Sequence, residues 1–180
     1  MFVLHIVYIF HWAAYKRTLK DTLCLLWIGA GLFCLGLNGT DHLPDEKDIN
    51  ALSQARNQIV NKFIQDSFEL RARFEYDGRF LSLNDKTRLY RLAYQASQQL
   101  ETLTNTAHQI KKQIEDYSGD DWDERYGVTG LWRKLYALLY KTYLSKLEIN
   151  YYMALSADQP ERNHILHRII NEIDLSLIHI

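Results

Sequence analysis

Apolar residues recur at helical spacing along most of the chain after residue 44. In the clearest run, the spacing alternates between four and three residues without a slip. Its members are Leu89, Ala93, Ala96, Leu100, Leu103, Ala107, Ile110, Ile114 and Tyr117. A sustained heptad pattern of this kind predicts a long helix with a coiled-coil-like seam. Asn84 is the predicted N-cap of this helix, and Ser118-Gly119 is its predicted end.

Similar patterns predict one helix before this one and another after an acidic connector. The first helix is expected to open at Pro44 and Asp45 and to stop at Tyr76-Asp77-Gly78. Its predicted inward residues are Leu52, Ile59, Phe63, Leu70 and Phe74. After the connector Asp120–Gly127, a helix capped by Thr129 runs to about Ala157. Apolar residues crowd more than one of its faces, which is typical of a helix central to a bundle.

A fourth helix is predicted after Asp158, its N-cap, with Pro160 in the first turn. Its predicted inward residues are Ile165, Leu166, Ile169, Ile170 and Ile173. Only 8 Gly and 2 Pro occur in the 180 residues, which argues against an all-β sandwich or barrel. The sequence therefore predicts an all-α domain over residues 45–174, an elongated up-down helical bundle or a set of stacked helical hairpins.

An apolar segment precedes the helical domain. Residues 22–37 carry no charge, Lys16, Arg17 and Lys20 lie ahead of them, and acidic residues predominate just after them. This arrangement predicts a signal peptide or membrane anchor within residues 1–39. Because basic residues precede the apolar segment and acidic residues follow it, we expect an exported protein. It would be periplasmic or membrane-anchored and face away from the cytoplasm. Residues 1–15 are also open to interpretation as an over-extended reading frame.

The last residues of the chain have an unusual sequence. Residues 175–180 read Leu-Ser-Leu-Ile-His-Ile, which matches a translation of the transposase-end adapter used in preparing sequencing libraries. We expect this string to be adapter-derived and the protein to be truncated, so that the natural sequence continues beyond Asp174.

Charge and cysteine content narrow the range of functions. The formal net charge is −1 and no long basic run is present, so we expect no nucleic-acid partner. The 2 cysteines, Cys24 and Cys34, both lie in the apolar segment, which leaves the helical domain without a disulfide or a thiolate nucleophile. No nucleotide-binding or hydrolase motif occurs, and no cofactor is expected.

One run of residues is typical of metal chemistry. Glu161, His164 and His167 follow each other at spacings of three, which places them near one helical face, and Glu-x-x-His recurs in di-iron bundles. Such a site needs a second copy of the motif, which this chain lacks. The alternative interpretation is a solvated helix face, with Glu161 stabilised by the helix dipole.

Part of the third and fourth helices resembles a tetratricopeptide repeat. Trp132, Leu135, Tyr152 and Pro160 fall at the repeat's Trp, Leu, Phe and Pro offsets over about 30 residues, whereas Tyr136 and Glu148 replace its Gly and Ala. The repeat also has a break between two short helices, and none is evident here. The resemblance implies the N-terminal part of a helical-repeat adaptor as an alternative function.

Three functional hypotheses follow from these patterns. The leading one is a non-catalytic helical scaffold or protein-interaction domain of an envelope protein. Its helical faces would bind a protein partner or a second copy of the chain, with exposed aromatic residues of the third helix as the contact surface. Its N-terminal segment would contact the membrane. The alternatives are the repeat adaptor and, third, a metal-binding helical-bundle enzyme using Glu161, His164 and His167.

Overall fold

The computed structural model describes residues 43–77 and 81–178, and the predicted N-terminal segment lies outside these ranges. The helices are α1 (Glu46–Asp77), α2 (Leu83–Asp116), α3 (Leu131–Ser156) and α4 (Gln159–Ile178). A π-helical turn at Asp123–Val128 connects α2 to α3. The described residues contain no strand, and the predicted all-α fold is confirmed. No helix among them is apolar over a length that would cross a membrane.

The helices alternate in direction, and α3 packs against α1, α2 and α4. Ion pairs and hydrogen bonds define the register. Glu101 pairs with Lys146, and Ser97 bonds Asn150 four residues further along α3, so α2 and α3 are antiparallel. α1 and α3 are parallel, because Glu46 pairs with Lys134 and Arg56 bonds Ser145. The chain thus forms an up-down bundle in which α2 alone spans about 50 Å.

The heptad seam of α2 is buried as predicted. All its members from Leu89 to Ile114 are buried, and Tyr117 at the end is half-buried. Buried apolar side chains on the helices that pack against α2 complete this core. They include Leu52, Ile59, Phe63 and Leu70 of α1 and Leu131, Leu135, Leu138 and Ile149 of α3. Sequence periodicity therefore identified the inner face of α2 residue by residue.

Two of the predicted helix starts are displaced. Ser82, not Asn84, caps α2, because its hydroxyl accepts the N–H of Asp85 at 3.2 Å. Asn84 consequently lies inside the first turn. At the start of α1, Asp45 Oδ1 accepts the N–H groups of Lys47 and Asp48, so Asp45 is the N-cap and Pro44 precedes the helix. In both cases the first helical hydrogen bonds decide the boundary.

The start of α3 also differs from the prediction. Gly130, not Thr129, is its N-cap, with φ at 70°, where glycine is favoured. Thr129 instead closes the preceding turn, because its hydroxyl donates to the Arg125 carbonyl at 2.6 Å. The chain changes direction at Gly130 as it leaves the π-helical turn, and a residue with a side chain would be strained there.

α4 is held against the end of α3 by Arg162. Its guanidinium donates to the carbonyls of Ala154, Leu155 and Ala157 where α3 ends, and the Ala154 carbonyl also accepts the N–H of Ala157. As predicted, Asp158 directly precedes α4, and its carbonyl accepts the N–H of Arg162 at 2.8 Å. α4 extends past Asp174, the predicted end of the helical domain.

The predicted inward face of α4 is too wide. Ile165 and Ile169 are buried and Leu166 is half-buried, but Ile170 is 53% exposed and Ile173 is 41% exposed. A step of one residue turns an α-helix by about 100°, so Ile170 points well away from Ile169. α4 covers α3 with one narrow face, and Ile170 and Ile173 lie outside it.

Candidate functional site

The structure brings two of the three metal-site candidates to one cleft. Glu161 is exposed in the first turn of α4 and accepts a hydrogen bond from the Tyr90 hydroxyl at 2.6 Å. His164 is exposed and lines the same cleft, whereas His167 is exposed and is not among its lining residues. Within residues 43–77 and 81–178, no group of three or more His, Cys, Asp or Glu side chains converges on a position that could hold a metal ion.

This cleft lies between α2, α3 and α4 and has a volume of about 430 Å³. Each of the three helices contributes side chains to it. They are Tyr90, Tyr94, Ser97, Gln98 and Glu101 from α2, Lys146 and Met153 from α3, and Glu161, His164, Ile165, Arg168 and Glu172 from α4. Clefts of this size commonly take small molecules.

A buried polar pair lies beside the cleft at the contact of α2 and α3. The Ser97 hydroxyl, which lines the cleft, donates to Asn150 Oδ1 at 2.7 Å, and Asn150 is fully buried. The amide Nδ2 of Asn150 has no hydrogen-bond partner among the described residues. A buried polar pair fixes which residues of the two helices face each other, because a shifted register would leave both groups unpaired.

One end of the cleft is aromatic. The rings of Tyr90 and Tyr94 stack with centroids 6.3 Å apart and planes 9° apart. The hydrogen bond to the Glu161 carboxylate, together with burial, raises the pKa of Tyr90 to about 12. The phenol therefore remains protonated and keeps donating to Glu161 across the physiological range, which connects α2 to the first turn of α4.

Charged side chains from all three helices also line the cleft. Lys146 pairs with Glu101, and Arg168 and Glu172 lie one helical turn apart on α4. The Glu172 atom Oε2 is shielded from solvent and accepts no hydrogen bond from any residue that the structure describes. Glu172 therefore lines the cleft, but its Oε2 atom is not accessible to a water molecule there.

Sequence reasoning found Glu161 and His164 but missed the rest of the cleft. Lys146 and Glu101 are 45 residues apart in the chain, and Tyr90 and Glu161 are 71 apart. No local spacing signals such pairs. The sequence signal that could have indicated the cleft was the set of polar and aromatic residues on α2 just beside the heptad seam. Residues at those positions lie next to any helix that packs on the seam.

A second surface feature runs along the outside of α3. Tyr136, Tyr140, Leu144 and Tyr151 are 44%, 53%, 45% and 48% exposed, and their spacings of four, four and seven put them on one helical face. We call these four residues the outer stripe. The antiparallel pairing at Arg162 and Ala154 places Ile170 and Ile173 of α4 at the level of Leu144. The exposed apolar residues of α4 therefore lie at the same height along the bundle as the outer stripe.

α3 is continuous from Leu131 to Ser156. The two short helices of a tetratricopeptide repeat would require a break near Tyr143. No family model, curated protein or solved structure matches this chain.

Proposed function

We propose that this chain is a non-catalytic helical scaffold or protein-interaction domain of an exported or membrane-anchored envelope protein. The observation that carries the proposal is the outer stripe of α3, with four large apolar side chains exposed on one face of a single helix. Their contact would be a helix of another protein or of a second copy of this chain.

The spacing and chemistry of the outer stripe support this proposal. Apolar residues at intervals of four and seven are what a second helix needs in order to pack along the first. Three of the four are tyrosines, a residue enriched at protein interfaces because its ring is apolar and its hydroxyl remains hydrogen-bonded. Fully burying an exposed Leu or Phe side chain contributes about 1.5–3 kcal/mol, and the side chains of the outer stripe still have about half of their surface to bury.

Photo-crosslinking in living cells tests this contact directly. We would replace Tyr140 of the full chain by a photoreactive phenylalanine and compare it with the same replacement at Glu69, an exposed position on α1. A cross-linked product is expected from position 140 and not from position 69, and its mass distinguishes a second copy from another protein. Equal products from both positions, or none from 140, would contradict the proposed surface.

The export part of the proposal rests on residues 1–39 of the sequence, with basic residues ahead of an uncharged apolar run. Cell fractionation of the full chain expressed in a bacterium should place it with the membrane or the periplasm. Replacing Leu25 and Leu26 by Arg interrupts the apolar run and should retain the chain in the cytoplasm. Recovery of the unaltered full-length chain in the soluble cytoplasmic fraction would refute export.

A further inference from the structure

The outer face of α3 carries a heptad pattern of its own. Its members follow each other in steps of three, four, three and four, the steps between the two core positions of a coiled coil. They are Ala137, Tyr140, Leu144, Leu147 and Tyr151. Four of the five are exposed and Leu147 is half-buried, so the bundle leaves this line largely uncovered. A helix packed along the line would meet an apolar residue at every layer.

Two opposite charges lie on one flank of this line. Lys141 and Glu148 each directly follow a core position of the pattern, seven residues apart. Both are exposed, and neither side chain has an ion-pair partner among the described residues. Lys134 occupies the same heptad position one repeat earlier, but it pairs with Glu46 of α1. The flank next to α1 therefore presents one unpaired cation and one unpaired anion.

The relative direction of two helices decides whether such charges can meet. A twofold axis that relates two antiparallel helices runs across them, so the same flank of both helices lies on the same side of the contact. The axis that relates two parallel helices runs along them and turns the flanks to opposite sides. Lys141 and Glu148 share a flank, and they can therefore pair between two copies of α3 only when the copies are antiparallel.

A single antiparallel register satisfies both the apolar line and the charges. It places Leu144 of each copy opposite Leu147 of the other. In the same register, Tyr140 of each copy lies opposite Tyr151 of the other. Lys141 then lies within one helical turn of Glu148 of the second copy, once on each side of the twofold axis.

We propose that a second copy of this chain covers the outer stripe, with the two α3 helices antiparallel and Lys141 of each copy paired with Glu148 of the other. This inference rests on the proposed function and narrows its partner to a copy of α3. A twofold contact uses one patch twice, so the patch must complement itself, as the opposite charges around Leu144 do. One short pair of helices buries less than a standard interface, so the dimer should dissociate on dilution.

Charge reversal tests the partner and the orientation together. Lys141→Glu and Glu148→Lys each convert both ion pairs of the dimer into pairs of like charge. Combining the two changes in one chain restores opposite charges with their positions exchanged. An equimolar mixture of the two single variants also restores them, but only between unlike copies, since one copy then carries two acids and the other two bases.

Sedimentation velocity of the full chain over a dilution series, in a mild detergent because of its apolar N-terminal residues, measures the dimer. Each single reversal should weaken the dimer about tenfold, whereas the double variant and the mixture should recover to within about threefold of the parent chain. Glu69→Lys and Arg88→Glu make the same changes in net charge at exposed positions of α1 and α2, and they should leave the dimer unchanged. Circular dichroism melting verifies that every variant is folded.

Three results would overturn the inference. One is a parent chain that is monomeric throughout the series, another is a dimer that both single reversals leave unchanged, and the third is a double variant as weak as the single ones. A monomeric chain that still gives a cross-link to another protein from position 140 would overturn the second copy and leave the proposed function standing. The absence of any cross-link from position 140 would contradict the proposed function itself.

Discussion

α2 and α3 are long helices of the same bundle, and they distribute their apolar residues differently. α2 has one buried stripe, from Leu89 to Ile114, between faces that are predominantly polar. α3 packs against α1, α2 and α4 and buries side chains toward all of them, yet it still exposes the outer stripe. α2 carries about as much apolar surface as its neighbours cover, whereas α3 carries more.

The difference shows what hydrophobic periodicity measures. On α2 a regular stripe corresponds to the surface that the domain buries, so pattern and burial agree. On α3 the apolar residues indicate the sum of all contacts that the helix makes, including any outside the described residues. An excess of large apolar side chains on one face is thus informative about association, and four substitution experiments separate the two cases.

The largest effect is expected in the seam of α2. Truncating Leu100, Leu103 or Ile110 to Ala leaves a cavity in the core and should lower the free energy of unfolding by roughly 2–5 kcal/mol each. Gln99, Thr102 and Gln109 lie off the seam, and their change to Ala should cost at most about 0.5 kcal/mol. Chemical denaturation measures both sets. Similar costs for the two sets would mean that the heptad register is wrong.

The polar pair between the two helices should have the next largest effect. Asn150→Ala removes the acceptor for the buried Ser97 hydroxyl and should cost about 1–3 kcal/mol. The double variant with Ser97→Ala should cost less than the sum of the two single changes, because the second change removes the group that the first left unpaired. Additive costs in chemical denaturation would show that the pair is not coupled.

Changes in the outer stripe should affect stability little. Tyr140→Ser and Leu144→Ser replace exposed side chains, and each should change the free energy of unfolding by about 0.5 kcal/mol or less. The same changes should reduce photo-crosslinking from position 136, which lies on the same face. Costs near those of the seam would instead indicate that the stripe is covered within the folded chain.

The last effect concerns the hydrogen bond between Tyr90 and Glu161, and it depends on pH. The folded-state pKa of Tyr90 is about 12, above its ordinary value of 10.0. The associated stability is fully present below pH 10 and is lost as the pH rises from 10 through 12. The free energy of unfolding should therefore fall more steeply over this interval in the parent chain than in Tyr90→Phe. Parallel curves would contradict the raised pKa of Tyr90.

The helices were largely predictable from the sequence, whereas their caps, the burial of α4 and the contacts between helices were less so. The α2 seam was predictable because each member is set by local spacing. Ser82 and Gly130 were missed as caps because the choice among neighbouring capping residues depends on how the preceding segment enters the helix. Ile170 was assigned inward because no pattern on α4 reveals how narrow its contact with α3 is. The cleft could not be predicted from the sequence, because the residue pairs that form it come from different helices.

The rings of Tyr117, Trp122, Tyr126 and Trp132 form an aromatic cluster at the π-helical turn, which contains two of the chain's 4 tryptophans. The two tryptophans of the described residues, Trp122 and Trp132, lie at this one end of the bundle with ring centroids 6.1 Å apart. Trp122 also donates its Nε1–H to the Ile114 carbonyl at 3.0 Å, which couples its emission to the end of α2. Their contribution to the emission reports on the α2–α3 connection, while circular dichroism reports on every helix. Superimposable unfolding curves from the two signals would mean that the bundle melts as one cooperative unit, and an earlier fluorescence transition would mean that it opens from this end.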